Sequence, residues 1–338
     1  MSSRKQWRDQ VQEPALEPSL PIIDAHHHIW NRAPPEPFEA YEAEAFLVDK
    51  TGSGHNVVGS VLVDSHSNYR TDGPEIMRVV GETENAERVA VNALSRGGRF
   101  AGACAGIVPH ADLCLGREVG TVLDAHLAAS PRMRGIRHMT AFDFDLPPIY
   151  GATRTGILLE KRFREGFAQL APRGLSFDAW LFHPQLAELI DLAHSFPETS
   201  VVLDHCGGPI GIGRYAARRA EGFQEWKGSM AALAACANVS VKIGALNMSF
   251  TALDATDKAK PHTSQEMAVL QRDIVLGTID LFGPARCMLE SNFPVDMVST
   301  SYVLLWNCFK RITSQYSAAE RTELFFGTAN RVYRLGLS

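Results

Sequence analysis

The densest chemistry in the chain is Asp24-Ala25-His26-His27-His28, at the end of the apolar run PIIDAHHHIW over 21–30. Side chains alternate faces along a strand, so His26 and His28 point one way and His27 the other. Two imidazoles on one face, one residue apart, can reach a single metal ion. Zinc and its relatives favour neutral imidazole nitrogen. An HxH after an apolar strand also arises as a chance histidine cluster, so context has to decide. That context is Asp204-His205-Cys206-Gly207-Gly208, where His205 closes another strand-like run and meets a glycine turn. A lone histidine there is ordinarily a core or capping group; beside His26 and His28 it joins the same site.

Cations and aromatics that could hold a substrate lie at the ends of other apolar runs. Arg137, in GIRH, could bind a carboxylate through its fork, or serve as a buried arginine paired with Asp178 or Glu290. His138 faces away from it and reads as structural. Asp178 and Trp180 share one strand face, and Trp180 could stack on a ring or fill space. His66 and Tyr69 follow a strand in SHSNYR, at a position facing the site. Lys242 and Glu290 read as an ion pair inside the fold, important for stability. His183, before Pro184, reads as a cap or packing residue. His55, His110, His126, His194 and His262 receive no role.

Positioning these residues requires a regular scaffold, and the chain supplies one. Eight apolar runs rich in valine and isoleucine occur at 21–30, 57–65, 101–109, 134–140, 175–182, 199–208, 238–246 and 285–294. Between them lie segments of helical spacing, such as 184–196 and 229–237. Buried strands alternating with helices mean a parallel sheet, and eight units close into a (β/α)8 TIM barrel of the α/β class. An open doubly wound sheet is the alternative; no GxGxxG follows the first strand, which weighs against a dinucleotide-binding version. Pro34, Pro35 and Pro37 mark a loop. Two long polar or Pro-containing segments, 141–160 and 247–268, follow strands and should form loops at the C-terminal face, where a barrel carries its active site. Residues 1–20 read as an N-terminal arm and 21–338 as the barrel.

The chain resembles the amidohydrolase superfamily, in its amidohydrolase-2 branch of sugar-acid lactonases and 2-pyrone-4,6-dicarboxylate lactonase. The matching pieces are IIDAHHHIW, GIRH (135–138), FDAWLFHPQL (177–186), VLDHCGGP (202–209), VKIGAL (241–246), SNFPVD (291–296) and GTANRVYRL (327–335). They run in order from about residue 20 to the end. The resemblance implies the barrel, hydrolysis as the chemistry, and His26, His28 and His205 in the site, holding one divalent ion, zinc or manganese. Many members carry an aspartate in an S-D-[WF]-P context that binds metal or acts as base; here Asn292 stands in that place. Asparagine takes no proton at neutral pH, although its carbonyl can ligate weakly or hold a water. The base then falls to His205, Asp296 or Glu290. Three neutral imidazoles without an anionic partner predict weak metal affinity, and metal-free hydrolysis of a lactone, an activated ester, is the alternative. The expected function is opening of a lactone or related ester of a small, carboxylated substrate. A zinc-dependent decarboxylase and a catalytically idle binding protein are the competing readings.

Global properties are consistent with this. The 338 residues suffice for one large core, and the net charge of -5 argues against a broad nucleic-acid surface. The six cysteines, Cys104, Cys114, Cys206, Cys236, Cys287 and Cys308, lack CxxC spacing and read as reduced, buried thiols. No apolar run reaches the roughly 18 residues of a membrane span, and residues 1–14 lack a secretion signal, so a cytoplasmic location is expected. No oligomeric state is encoded in any visible pattern.

Overall fold

The computed structural model describes residues 3–31, 39–147, 152 and 154–338. The proline loop at 34–37 and part of the 141–160 segment lie outside the described residues. Eight strands appear in chain order: β1 (Pro21–His27), β2 (Asn56–Val63), β3 (Gly106–Val108), β4 (Gly135–Met139), β5 (Ser176–Trp180), β6 (Val201–Leu203), β7 (Val239–Ile243) and β8 (Cys287–Leu289). Helix α1 (Ser3–Arg8) precedes β1. After each strand in turn comes a helix: α2 (Ala43–Gly52), α3 (Val80–Arg96), α4 (Val119–Ala129), α5 (Lys161–Phe167), α6 (Leu186–Ser195), α7 (Arg219–Ala234), α8 (Ser264–Phe282) and α9 (Tyr302–Ile312). Two short helices, α10 (Ala318–Thr322) and α11 (Thr328–Val332), follow.

All strand pairs are parallel, in the orders β1-β2-β3 and β4-β5-β6-β7-β8. Both seams between these sheets are hydrogen-bonded. At one, His28 N donates to Phe293 O at 2.7 Å and Asn292 N to His26 O at 2.8 Å. At the other, Arg137 N donates to Pro109 O at 2.9 Å. The ring is therefore a closed (β/α)8 barrel, and closure leaves no sheet edge.

The strands are shorter than the apolar runs that announce them. Residues 101–105 precede β3 as turn, and 204–208 leave β6 through a one-turn 3-10 segment, His205–Gly207. Apolar character continues past each strand because the segment stays buried, not because it stays extended. Likewise 264–268 is not loop: it opens α8, capped by Thr263, whose hydroxyl accepts from Glu266 N while Glu266 returns the bond.

A bulge in β1 decides which way the histidines face. Ile23 and Ala25 point into the barrel, packing with Val61, Val63, Val108, Val202, Met288 and Tyr333. Strict alternation would then send His26 outward. The β1–β2 register shifts between Asp24 and His27, and that extra residue turns His26 and His28 inward. His27 faces out, stacked on Phe46 at 3.6 Å between centroids, with Nε2 3.0 Å from Ser60 Oγ. Asp24 also faces out, accepting from Ser291 Oγ at 2.6 Å and Tyr302 OH at 2.9 Å, and so ties β1 to the segment after β8 and to α9.

The remaining packing is ordinary. Helices cover the barrel through one large apolar layer, and Tyr333 and Ala329 plug its lower end. The N-terminal arm docks on α8 and α9, where Ser264 N donates to Glu13 at 2.9 Å and Leu16 N to Asn307 Oδ1 at 2.8 Å. The six cysteines are free, and all but Cys114 are buried. Among the described residues no helix is long and apolar enough to cross a membrane.

Neighbouring strands approach so closely at Gly135 that a Cβ there would lie 2.8 Å from Ser176 O and 2.1 Å from Ser176 Oγ. Gly135→Ala should therefore destabilise the barrel by about 1–3 kcal/mol, read as a lower urea midpoint; an unchanged midpoint would show that β4 and β5 can separate without cost.

Candidate active site

The ends of β1, β6 and β8 bring His26, His28, His205 and Glu290 together at the C-terminal mouth. The Nε2 atoms of His26 and His28 are 3.2 Å apart. Two nitrogens bound at 2.0–2.1 Å to one tetrahedral ion would be separated by roughly 3.3 Å. The rings of His26 and His205 are 4.6 Å apart, and those of Trp180 and His205 also 4.6 Å. Each imidazole has a fixed Nδ1. His28 Nδ1 meets Val63 O at 2.9 Å, His205 Nδ1 meets Glu290 Oε1 at 2.6 Å, and His26 Nδ1 lies 3.0 Å from Glu290 Oε2. For His28 and His205 the acceptor at Nδ1 places the proton there and leaves the Nε2 lone pair for a ligand, whereas His26 Nδ1 also faces the Lys242 ammonium, a donor only, at 3.2 Å.

Below the imidazoles lies a layer of buried charge. Lys242 Nζ donates to Asp178 Oδ2 at 2.6 Å and sits 2.9 Å from Asp204 Oδ1 and 3.2 Å from His26 Nδ1. Tyr333 OH donates to Asp178 Oδ2 at 2.7 Å. The expected Lys242–Glu290 pair is not formed: β7 directs Lys242 toward β5 and β6, and Glu290 is taken by the two histidines. Arg137 likewise pairs with neither Asp178 nor Glu290. Its Nη2 donates to Asp64 O and lies 3.7 Å from Asp64 Oδ2. Asp178, expected beside the substrate, is fully buried among Lys242 and Tyr333, one layer below Trp180. It is committed to the charge network with Lys242 and Tyr333 rather than to a place at the substrate.

Burial governs the protonation states. Burial, helped by Lys242, lowers His26 to about 4, leaving a neutral imidazole near pH 7. Burial would raise Glu290, but His205 and His26 hold it at about 2. Asp204 is also drawn well below the usual carboxylate range: burial opposes this, and Lys242 and His26 overcome it. Lys242 stays above its ordinary value because Asp178 and Asp204 outweigh its desolvation. Burial brings Asp178 up to about 6.

Near neutral pH three carboxylates, Asp178, Asp204 and Glu290, thus face one ammonium, Lys242, and all four are 0% exposed. Buried carboxylates that outnumber the ammonium among them are costly without a further cation to offset them. The donor atoms of His26, Asp204 and His205 lie within 4.8 Å of one another, a group able to hold a metal ion. The premise that the histidines lack an anionic partner does not hold: Asp204 lies beside His26 and His205, and Glu290 meets His205. The residues fit a divalent ion in donor type and in charge.

Asn292 does not face the imidazoles through its nitrogen. Nδ2 donates to Asp296 Oδ2 at 2.7 Å, and Asp296 Oδ1 accepts from Asn247 N at 2.9 Å. An aspartate at 292 would set two carboxylates at hydrogen-bond distance; the amide donates instead. Asp296 is buried, which raises it to about 6. After β2, the Asp64 carboxylate collects His66 N at 3.0 Å and Tyr69 OH at 3.3 Å. His66 is 5.2 Å from His110, ring to ring. His138 accepts from Leu113 N at 3.2 Å, and His183 from Ile210 N at 3.2 Å, both structural. Sequence reasoning missed Asp64, Asp204 and His110. Each stands at or just past a strand's C-terminal end, which was the available signal.

A closed eight-stranded barrel with imidazoles and carboxylates gathered at its C-terminal mouth defines the class of enzyme. The chain belongs to the amidohydrolase family, whose model (Amidohydrolase) matches residues 23–335, and it is a hydrolase. It is 31% identical over 337 residues to the uncharacterized protein y4mH of Sinorhizobium fredii (strain NBRC 101917 / NGR234), covering 94% of this chain and 99% of that protein. It is 26% identical over 205 residues to the L-fucono-1,5-lactonase of Burkholderia multivorans (strain ATCC 17616 / 249), covering 60% of this chain and 64% of the lactonase. The crystal structure of an amidohydrolase from Burkholderia multivorans with bound zinc superposes with a TM-score of 0.68 at 22% identity, over 93% of this chain and 99% of that one.

Lys242→Met should leave Asp178 and Asp204 uncompensated and cost about 3–5 kcal/mol of stability. Adding Asp178→Asn should restore part of that loss in urea unfolding. A fully stable single variant would contradict the charge network.

Proposed function

We propose that the protein opens the ring of a small lactone, a sugar-acid or carboxylated one, by attack of water on the carbonyl. The observation that carries this reading is the set of three imidazoles with occupied Nδ1 atoms above a layer of excess negative charge. His26, His28 and His205, with Asp204 as charge partner, would hold one divalent ion, zinc or manganese. When bound, such an ion supplies a Lewis acid for the carbonyl oxygen and lowers the pKa of a coordinated water.

The protein's own groups divide the remaining work. Glu290 orients His205 by holding its Nδ1 proton, as a carboxylate orients a catalytic imidazole in hydrolytic triads. Asp296 is the base we favour. Glu290 is a partner of the histidines and Asn292 cannot accept a proton, whereas Asp296 is a carboxylate hydrogen-bonded by the neutral donors of Asn292 and Asn247. Raised by burial to about 6 against the hydrogen bonds from Asn292 and Asn247, it is suited to take a proton from water near neutral pH. Trp180, against His205, gives the substrate an apolar wall. The loop after β2, with His66 and Tyr69, gives it a polar one that would meet an acidic group. The lactonase named above, at 26% identity, supports the substrate class.

Two experiments test this. The purified protein is screened against a panel of sugar lactones and carboxylated lactones, before and after chelation checked by elemental analysis. Activity should vanish on metal removal and return with one equivalent of zinc or manganese; no turnover of any lactone would refute the reading, and activity surviving complete metal removal would refute the metal. Separately, Asp296→Asn should lower kcat by about 100-fold with little change in melting temperature. A variant with near wild-type kcat would move the base elsewhere.

A further inference from the structure

Arg137 carries a donor that the protein itself does not use. Its side chain is almost fully buried, 4% exposed, yet Nε–H has no hydrogen-bond partner among the described residues. Nη2 is fixed on Asp64. Nη1 lies 3.4 Å from His26 Nε2, a long hydrogen bond that takes one of its two hydrogens and leaves the second. The unpaired Nε–H and the spare Nη1 hydrogen show that the protein does not saturate the guanidinium, as a buried group that meets a ligand requires.

The direction of the guanidinium distinguishes two roles. An arginine that anchors a remote carboxylate presents its fork toward open pocket. Arg137 is instead fixed against the imidazoles. Consecutive carbonyls at the end of β2 hold both groups: Val63 O takes His28 Nδ1 at 2.9 Å, and Asp64 O takes Arg137 Nη2. Nη1 is thereby set at the point where the Nε2 atoms of His26 and His28 come within 3.2 Å. Asp64 cannot follow Arg137 outward, because its carboxylate is tied to His66 N and Tyr69 OH in its own loop.

Resting on the lactone-hydrolysis reading above, we propose that Arg137 is a catalytic residue that donates through Nη1 to the carbonyl oxygen under attack, and that Asp64 is its positioning residue. Water adds to the carbonyl carbon and the π pair moves onto the oxygen, where Arg137 meets the new charge. Collapse re-forms the carbonyl and breaks the ring C–O bond. The departing alkoxide receives the proton that the attacking water gave up, so the opened ring leaves as hydroxy acid. A guanidinium suits this task because it stays charged and, held from β2, needs no reorganisation.

The test compares Arg137→Met and Arg137→Lys on neutral lactones and on lactones bearing a carboxylate. Arg137→Met should lose about 100-fold in kcat on both classes, with KM for the neutral lactone little changed; Arg137→Lys, which keeps the charge and loses the geometry, should fall between. Asp64→Asn, which keeps the backbone carbonyl that Nη2 holds and removes only the charge 3.7 Å away, should lower kcat less than Arg137→Met on both classes, with KM little changed. A loss confined to carboxylated lactones, and seen in KM, would make Arg137 a remote anchor and overturn the proposal. A wild type that opens neither class fails the hydrolysis reading instead, and a second measurement then judges Arg137 alone. Inorganic phosphate, a tetrahedral oxyanion, should bind the wild type in calorimetry and weaken at least about tenfold in Arg137→Met and measurably in Arg137→Lys. Equal phosphate affinity in the variants, or no phosphate binding by the wild type, overturns the proposal without reference to turnover.

Discussion

One ammonium group governs the centre of this protein. Lys242 sits inside a closed barrel, out of reach of water, between Asp178 and Asp204 and beside His26. Closure makes the barrel interior a place where charge cannot be screened, so each carboxylate there must find a cation or donor within a few ångströms. Lys242 and Tyr333 satisfy the lower carboxylate, Asp178. Asp204 shares the same ammonium and Glu290 is left with imidazoles, and this shortage of positive charge turns a structural layer into a candidate cation site. The arrangement is stacked: apolar plug, charged layer, imidazoles, mouth.

A second constraint acts on the backbone. His66, His205, Ala245 and Asn292 all have φ between 52° and 59°, a region that residues with a Cβ enter rarely. They lie at or just past the ends of β2, β6, β7 and β8. Each turns the chain sharply inward at the mouth instead of letting the strand run on, which presents side chains to the centre from several directions. Local strain of this kind persists where the surroundings over-determine it, as at functional sites. Here the surroundings include the Asn292 N–H bond to His26 O, which is also a seam of the barrel. Closing the ring and aiming the site are the same set of contacts.

The fold was legible to a large degree because its signals are local. Eight buried apolar runs separated by helical spacing identify the barrel, and His26, His28 and His205 stand out by type and by place at strand ends. Strand lengths were overestimated at β3 and β6, since hydrophobicity reports burial and not extension. The directions of His26 and His28 relative to each other followed from alternation. Their direction relative to Ile23 and Ala25 did not, because a bulge changes the parity and has no signature in DAHHH.

Pairing was the part that the chain order concealed. Lys242 neighbours Glu290 through adjacent strands, and the sequence favours that pair; side-chain reach across the barrel gives Lys242 to Asp178 and Asp204 instead. Arg137 similarly reaches back to Asp64, just past β2, rather than to the strands after it. Asn292 reads as a missing carboxylate, yet in three dimensions it donates to Asp296, four residues on, and its amide makes that neighbour possible. The amino-acid sequence by itself determined the barrel, the histidines and their place at its mouth, because periodicity and residue type are properties of short segments. Only the tertiary structure decided which charge faces which, because a barrel interior joins residues separated by scores of positions and electrostatics depends on distance in space alone.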